Sequence, residues 1–175
     1  MALKTMSLSE GSGQYAAGWH ELEISKAKYD NWKDSKVIDV WFKDYPESFK
    51  VRVFPAYNKE TKEEFSIARL FKVANAGIVS VLKDASGKHP VIQYDDEADG
   101  LVGKKVNVFC FKMKGSDGKE YSNPFNRFAP VMQKGEHLSY SHDDVSFYKK
   151  QVEAACKKYV ESKKTTTTSD DEMPW

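Results

Sequence analysis

The chain has 175 residues, 40% of them hydrophobic, which is material for one compact domain with polar ends and argues against two full-sized domains. Its formal charge of +1 divides unevenly: residues 165–175 hold three acids and no base, so the other 164 residues carry 27 bases against 23 acids, a body of +4 and a tip of −3. That body is far less basic than many duplex-DNA binders, and Cys110 and Cys156, with no CxxC pair and no His/Cys cluster at zinc spacing, support neither a disulfide framework nor a zinc site. The expectation is a soluble, cytoplasmic protein, since residues 1–18 lack the apolar run of a signal peptide and no stretch reaches membrane-spanning length.

Residues 1–17 read as a flexible leader and residues 18–163 as the ordered domain. Over 19–27, Leu22 and Ile24 alternate with Glu21, Glu23 and Ser25, the period of a strand with one buried face. A turn-like stretch, Asp30-Asn31-Trp32-Lys33-Asp34-Ser35, leads to a second strand at 37–42. A third, 49–54, sets Phe49, Val51 and Val53 against Lys50, Arg52 and Phe54. From Glu63 to Ala76 the spacing turns helical, with Ile67, Leu70, Phe71 and Ala74 on one stripe and Gly77 as the expected C-cap.

Short runs at 79–83 and 90–94 flank the turn Asp84-Ala85-Ser86-Gly87-Lys88. The most convincing strand spans 104–114, where Phe109 and Phe111 compete with Val106, Val108 and Cys110 for the inward face; the phenylalanines are expected to be the buried set. After the turn Ser116-Asp117-Gly118-Lys119, residues 121–131 return as the other arm of a hairpin. A final helix is expected from Ser141 and Asp144, which have capping-box-like spacing, to about Lys163. Val145, Tyr148, Val152, Ala155 and Tyr159 share one of its faces, which packs against its own domain or, alternatively, against a second copy in a homodimer. About five or six short strands, an inserted helix and a C-terminal helix make a mainly β chain suited to a small closed or partly open barrel.

Residues 162–169, Ser-Lys-Lys-Thr-Thr-Thr-Thr-Ser, contain no large apolar side chain to offset the entropy of ordering, so 164–175 are expected to form a disordered acidic tail. The tail ends on Asp170-Asp171-Glu172-Met173-Pro174-Trp175. Carboxylates suit a basic rim and a terminal indole suits a pocket, so the tip reads as a docking peptide for a partner protein. The same acids can compete with a polyanion for the mildly basic body. The tip closely resembles that of bacterial single-stranded DNA-binding proteins and the acidic C-termini of several phage counterparts.

Within 19–130, the residues 32–42, Glu64-Phe65-Ser66-Ile67-Ala68-Arg69-Leu70-Phe71, Asn75-Ala76-Gly77-Ile78 and Tyr94-Asp95-Asp96-Glu97 followed by Leu101-Val102-Gly103-Lys104 resemble a family of small phage-encoded single-stranded DNA-binding proteins, over about two-thirds of the chain. The resemblance implies an OB-fold-like barrel that coats single strands during phage replication or recombination in the host cytoplasm, without catalysis. It also implies recruitment of replication, recombination and repair proteins through the tip. The short Thr-rich tether departs from the long Gly/Pro-rich linkers of bacterial tetrameric relatives, so their tetramer is not carried over.

A single strand offers base faces for stacking and phosphates for Lys and Arg to follow. With Ile38, Val40 and Phe42 inward, Trp41 points outward; with Val51 and Val53 inward, Arg52 and Phe54 do so too. Trp32 and Tyr57 in flanking loops, and Tyr121 and Arg127 in a later aromatic-basic cluster, add stacking groups, while Lys50, Lys104, Lys105 and Lys112 add phosphate contacts. The structural alternative makes Trp41 and Phe54 ordinary core residues covered by the C-terminal helix. Two functional alternatives are a metal-dependent nuclease built on Asp95, Asp96 and Glu97 with Glu60-Thr61-Lys62, and an adaptor whose barrel binds protein. Neither a Ser/His/Asp spacing nor a Walker motif is present, so the reading is of no enzyme, no cofactor and no metal ligand.

Overall fold

The computed structural model describes residues 3, 16–83 and 90–166; most of the expected leader, the turn at 84–89 and the tail with its docking tip lie outside them. The chain is mainly β, with antiparallel pairing throughout. In chain order it forms β1 (Gly18–Trp32), β2 (Ser35–Phe42), β3 (Lys50–Val53), α1 (Ser66–Ala74), β4 (Ile78–Lys83), β5 (Pro90–Tyr94), a 3-10 turn at Ala98–Leu101, β6 (Lys105–Lys114), β7 (Glu120–Pro124), β8 (Ala129–Pro130), β9 (Gln133–Lys134), β10 (Ser139–Tyr140) and α2 (His142–Thr166). The main sheet has six strands, ordered β3-β2-β1-β6-β7 with β8 also on β6; β4–β5 and β9–β10 are separate two-stranded pieces.

β1 organises this sheet because it serves two neighbours. Its first residues, Gly18 to Glu23, pair with β6, and Ile24 to Trp32 pair with β2. The register shifts between Ile24 and Lys26, a bulge that bends the strand and rephases its side chains. Leu22 and Ile24 are buried before it and Ala27 after it, so Lys26, Lys28, Asp30 and Trp32 are left for the outer face. Trp32 thus ends β1 and is not part of a loop. Among the described residues no ladder joins β3 to β7, so the barrel is not closed; Val51 and Arg52 line one cavity with Pro124 and Phe125 where a closing pair would lie.

The core lies on the inner side, where Ile24, Ile38, Val40, Phe42, Val51 and Val53 meet Phe71 and Leu70 of α1. The α1 stripe is as its spacing predicts, with Ile67, Leu70, Phe71, Val73 and Ala74 buried. Its C-cap is Asn75, in the left-handed conformation, and not Gly77. Gly77 is needed for a different reason: its own φ is +64° and a Cβ there would collide with the backbone carbonyl of Asp95.

β6 reverses an expectation. Val106, Val108 and Cys110 are the inward set, each at most 1% exposed. Phe109 and Phe111 face the other way, where they are half-buried against Phe125 and against Val152 and Cys156 of α2. Both faces of β6 read as apolar because one meets the core and the other meets a helix. α2 starts at the expected box, the Ser141 N–H donating to Asp144 Oδ2 at 2.8 Å and the Asp144 N–H donating to Ser141 Oγ at 3.1 Å. Its apolar side packs on its own domain through Val152 and Cys156, and no helix among the described residues is long and apolar enough to cross a membrane.

Candidate nucleic-acid interface

The registers of β1, β2 and β3 line up the outward residues in rows. Lys26, Trp41 and Lys50 form one row, and Lys28, Asp39 and Arg52 the next. Val37 follows, opposite Asp30, and Phe54 leaves the end of β3 one place beyond the Ile38–Val53 pair. Trp32 closes the array by meeting Phe54 edge to face, ring centroids 5.4 Å apart. The three sequence-predicted residues Trp41, Arg52 and Phe54 are therefore on one face, and Trp32 and Lys50 join them.

The aromatics are available and cation-flanked. Trp32 is 42% and Phe54 40% exposed, large values for side chains of this size in a β domain. Trp41 is half-buried, its ring between Lys26 Nζ at 4.2 Å and Lys50 Nζ at 5.6 Å, and Lys33 Nζ lies 4.4 Å from the Trp32 ring. The Trp41 indole N–H is buried with no hydrogen-bond partner among the described residues. Such a face presents π surfaces beside ammonium groups, of which Lys26 Nζ also contacts Glu47 Oε1 at 3.3 Å, the combination that suits a chain of stacked bases and phosphates.

Arg52 is engaged by carboxylates within the sheet. Its Nε donates to Asp39 Oδ1 at 2.8 Å, and its Nη2 to Asp39 Oδ2 at 2.9 Å and Asp30 Oδ2 at 3.0 Å. Asp39 is 3% exposed, so this bidentate pair neutralises a carboxylate that β2 would otherwise bury alone. The hydrogen bonds from Arg52 hold the Asp39 carboxyl below its ordinary range, burial opposing them and the charges of Arg52 and Lys50 assisting. Lys50 Nζ adds a longer contact to Asp39 at 3.6 Å. Arg52 thus braces the face, and Lys26, Lys28, Lys33 and Lys50 are further cations on it or beside it.

The remaining expected residues are dispersed. Lys105 sits opposite Glu23, whose carbonyl accepts the Lys43 N–H at 2.9 Å, which continues the face one row past Trp41; Lys104 adjoins it and both are exposed. Tyr57 is 61% exposed on the connection out of β3, bridged to Glu64. Lys112 and Tyr121 lie on the β6–β7 hairpin, outside the rows of the β1–β3 face, and the Tyr121 hydroxyl donates to Asp117. Arg127, between β7 and β8, lines two cavities beside α1 together with Arg69.

Sequence reasoning missed Lys26, Lys28 and Arg69. The polar pair Ser25-Lys26 between the inward residues Ile24 and Ala27 marks the bulge that turns the two lysines outward. Asp95 Oδ1 accepts the Glu97 N–H at 3.0 Å, and among the described residues no three His, Cys, Asp or Glu side chains gather as metal ligands. Compared with known proteins, the chain matches no protein-family model and no curated protein.

Proposed function

We propose that the chain is a non-enzymatic, sequence-independent single-stranded DNA-binding protein whose strand lies across the outer face of β1, β2 and β3. The observation that carries this reading is the row Lys26–Trp41–Lys50 with the exposed Trp32–Phe54 pair beside it. Trp41, Trp32 and Phe54 stack on bases, and the lysines follow the phosphates. The β-rich fold, with a helix between β3 and β6 and an unclosed sheet, is compatible with an OB-like domain, a scaffold that binds oligonucleotides across a sheet. Residues 170–175 act as a docking peptide for replication or recombination proteins, in phage DNA metabolism within the host cytoplasm.

The test is fluorescence anisotropy of a labelled oligo-dT, with duplex DNA and poly-U as competitors, at low and high salt. Tight binding of oligo-dT resisted by duplex competitor is the expected result; poly-U competing equally makes the substrate any single strand. Absence of binding to every strand at low salt leaves the protein-adaptor alternative in its place.

A further inference from the structure

The sheet face ends at Phe54, and Phe54 also lines a second feature. A cavity of about 310 Å³ runs from Phe54 past Ser66 and Leu70 to Arg69, Arg127 and Ala155. A larger one of about 520 Å³ continues from the same two arginines between α1, the β4–β5 hairpin and α2, walled by Phe65, Tyr94, Phe147 and Tyr148. Arg69 and Arg127 are the only charged residues common to both linings.

Both arginines are half-buried, and two like charges that share a cavity wall favour an anion between them. Among the described residues neither arginine forms an ion pair. The adjacent carboxylate, Glu64, is occupied: Oε2 accepts the N–H groups of Ala56, Ser66 and Ile67 at 2.8–3.1 Å and Oε1 that of Ala68 at 2.9 Å, capping the start of α1. Burial and the Arg127 charge push the Arg69 guanidinium below its ordinary range, with Glu64 opposing. Arg69 also lies 5.8 Å from the centre of the Phe65 ring. Phe65 is 46% and Phe147 58% exposed, so flat apolar surface is open beside the cations.

We infer that Arg69 and Arg127 bind a phosphate of the same single strand after it passes Phe54, and that the following base enters the aromatic-walled groove between α1 and α2. Continuity with the sheet face and the mixture of guanidinium with exposed rings favour a nucleic-acid segment over an acidic peptide. This inference rests on the proposed strand-binding function.

Its test compares a short oligo-dT of about 6 nucleotides, which spans the sheet face, with one of about 16, which also reaches the groove. The wild type and the Arg69→Gln/Arg127→Gln variant are titrated with both across a salt series, with Arg69→Lys/Arg127→Lys as a second variant and thermal melts to verify folding. The expected result is about tenfold weaker binding of the long oligomer by the Gln variant, a salt slope shallower by about 0.7 per lost phosphate contact, and unchanged binding of the short one. The Lys variant should keep the salt slope. Equal loss for both lengths, or no loss for either, overturns the groove while leaving the sheet face standing. A wild type that binds no strand overturns both. If a peptide of residues 170–175 binds the wild type and only that binding is lost in the Gln variant, the groove is a peptide site and the inference is wrong.

Discussion

Trp19 and Trp41 occupy equivalent outward positions on neighbouring strands of one sheet, yet they live in different environments. Trp19, on the half of β1 that pairs with β6, lies 5.0 Å from Phe109 and donates its indole N–H to Glu153 of α2 at 2.7 Å. Trp41, on β2, keeps its N–H without a partner among the described residues and is flanked by lysines. The same alternating sequence thus builds a second core where α2 packs on Trp19 and Phe109 and a cation-rich aromatic surface around Trp41, Trp32 and Phe54. An outward aromatic is informative about binding only once the cover is known.

The comparison is broken most severely by removing the cover. Phe125→Ala, in the cluster beneath α2, should cost about 3 kcal/mol of stability through the cavity it leaves, read from urea unfolding, with the affinity of the folded protein for the short oligo-dT of about 6 nucleotides unchanged. Arg52→Ala should cost about 2–3 kcal/mol, because it strands the buried Asp39 carboxylate; partial exposure of the arginine at 23% and the nearby Lys50 moderate the loss. Trp41→Ala should behave oppositely to Phe125→Ala, weakening single-strand binding by about 1–3 kcal/mol with little change in the unfolding midpoint. Trp19→Phe, which loses the exposed hydrogen bond to Glu153, should cost no more than about 1 kcal/mol of stability and nothing in binding.

Acid sharpens the same contrast. Asp39 has a folded pKa below its unfolded value, so its contribution is complete above about pH 4 and drains away as the pH falls through the lower folded value. Urea midpoints measured between neutral pH and about pH 3 should decline for the wild type, and this portion of the slope should vanish in Asp39→Asn.

Much of the inner architecture was legible because burial imposes a period. Val51 and Val53 against Lys50 and Arg52, the Ile67–Leu70–Phe71–Ala74 stripe, and the Ser141–Asp144 box each announce an element and its facing. The outer face was less legible, for three physical reasons. A bulge changes the phase of β1 at Ser25, so Lys26 and Lys28 do not continue the alternation that precedes them. β6 is apolar on both faces, and which one meets the core depends on where α2 packs, a long-range fact absent from local spacing. Asp39 and Arg52 look like two solvated charges on separate strands, and only the β2–β3 register makes them a buried pair. Within the candidate site, position could therefore be read from the sequence while the engagement of Arg52 by Asp39 and Asp30 could not.

The central claim is that the β1–β3 face stacks on bases, and quenching of intrinsic tryptophan fluorescence by poly-dT tests it most directly when the wild type is compared with a Trp32→Phe/Trp41→Phe variant. The account predicts strong quenching in the wild type and loss of most of it in the variant, with both proteins folded. Quenching that survives the double substitution undiminished, or a wild type whose fluorescence ignores poly-dT at low salt, would contradict it.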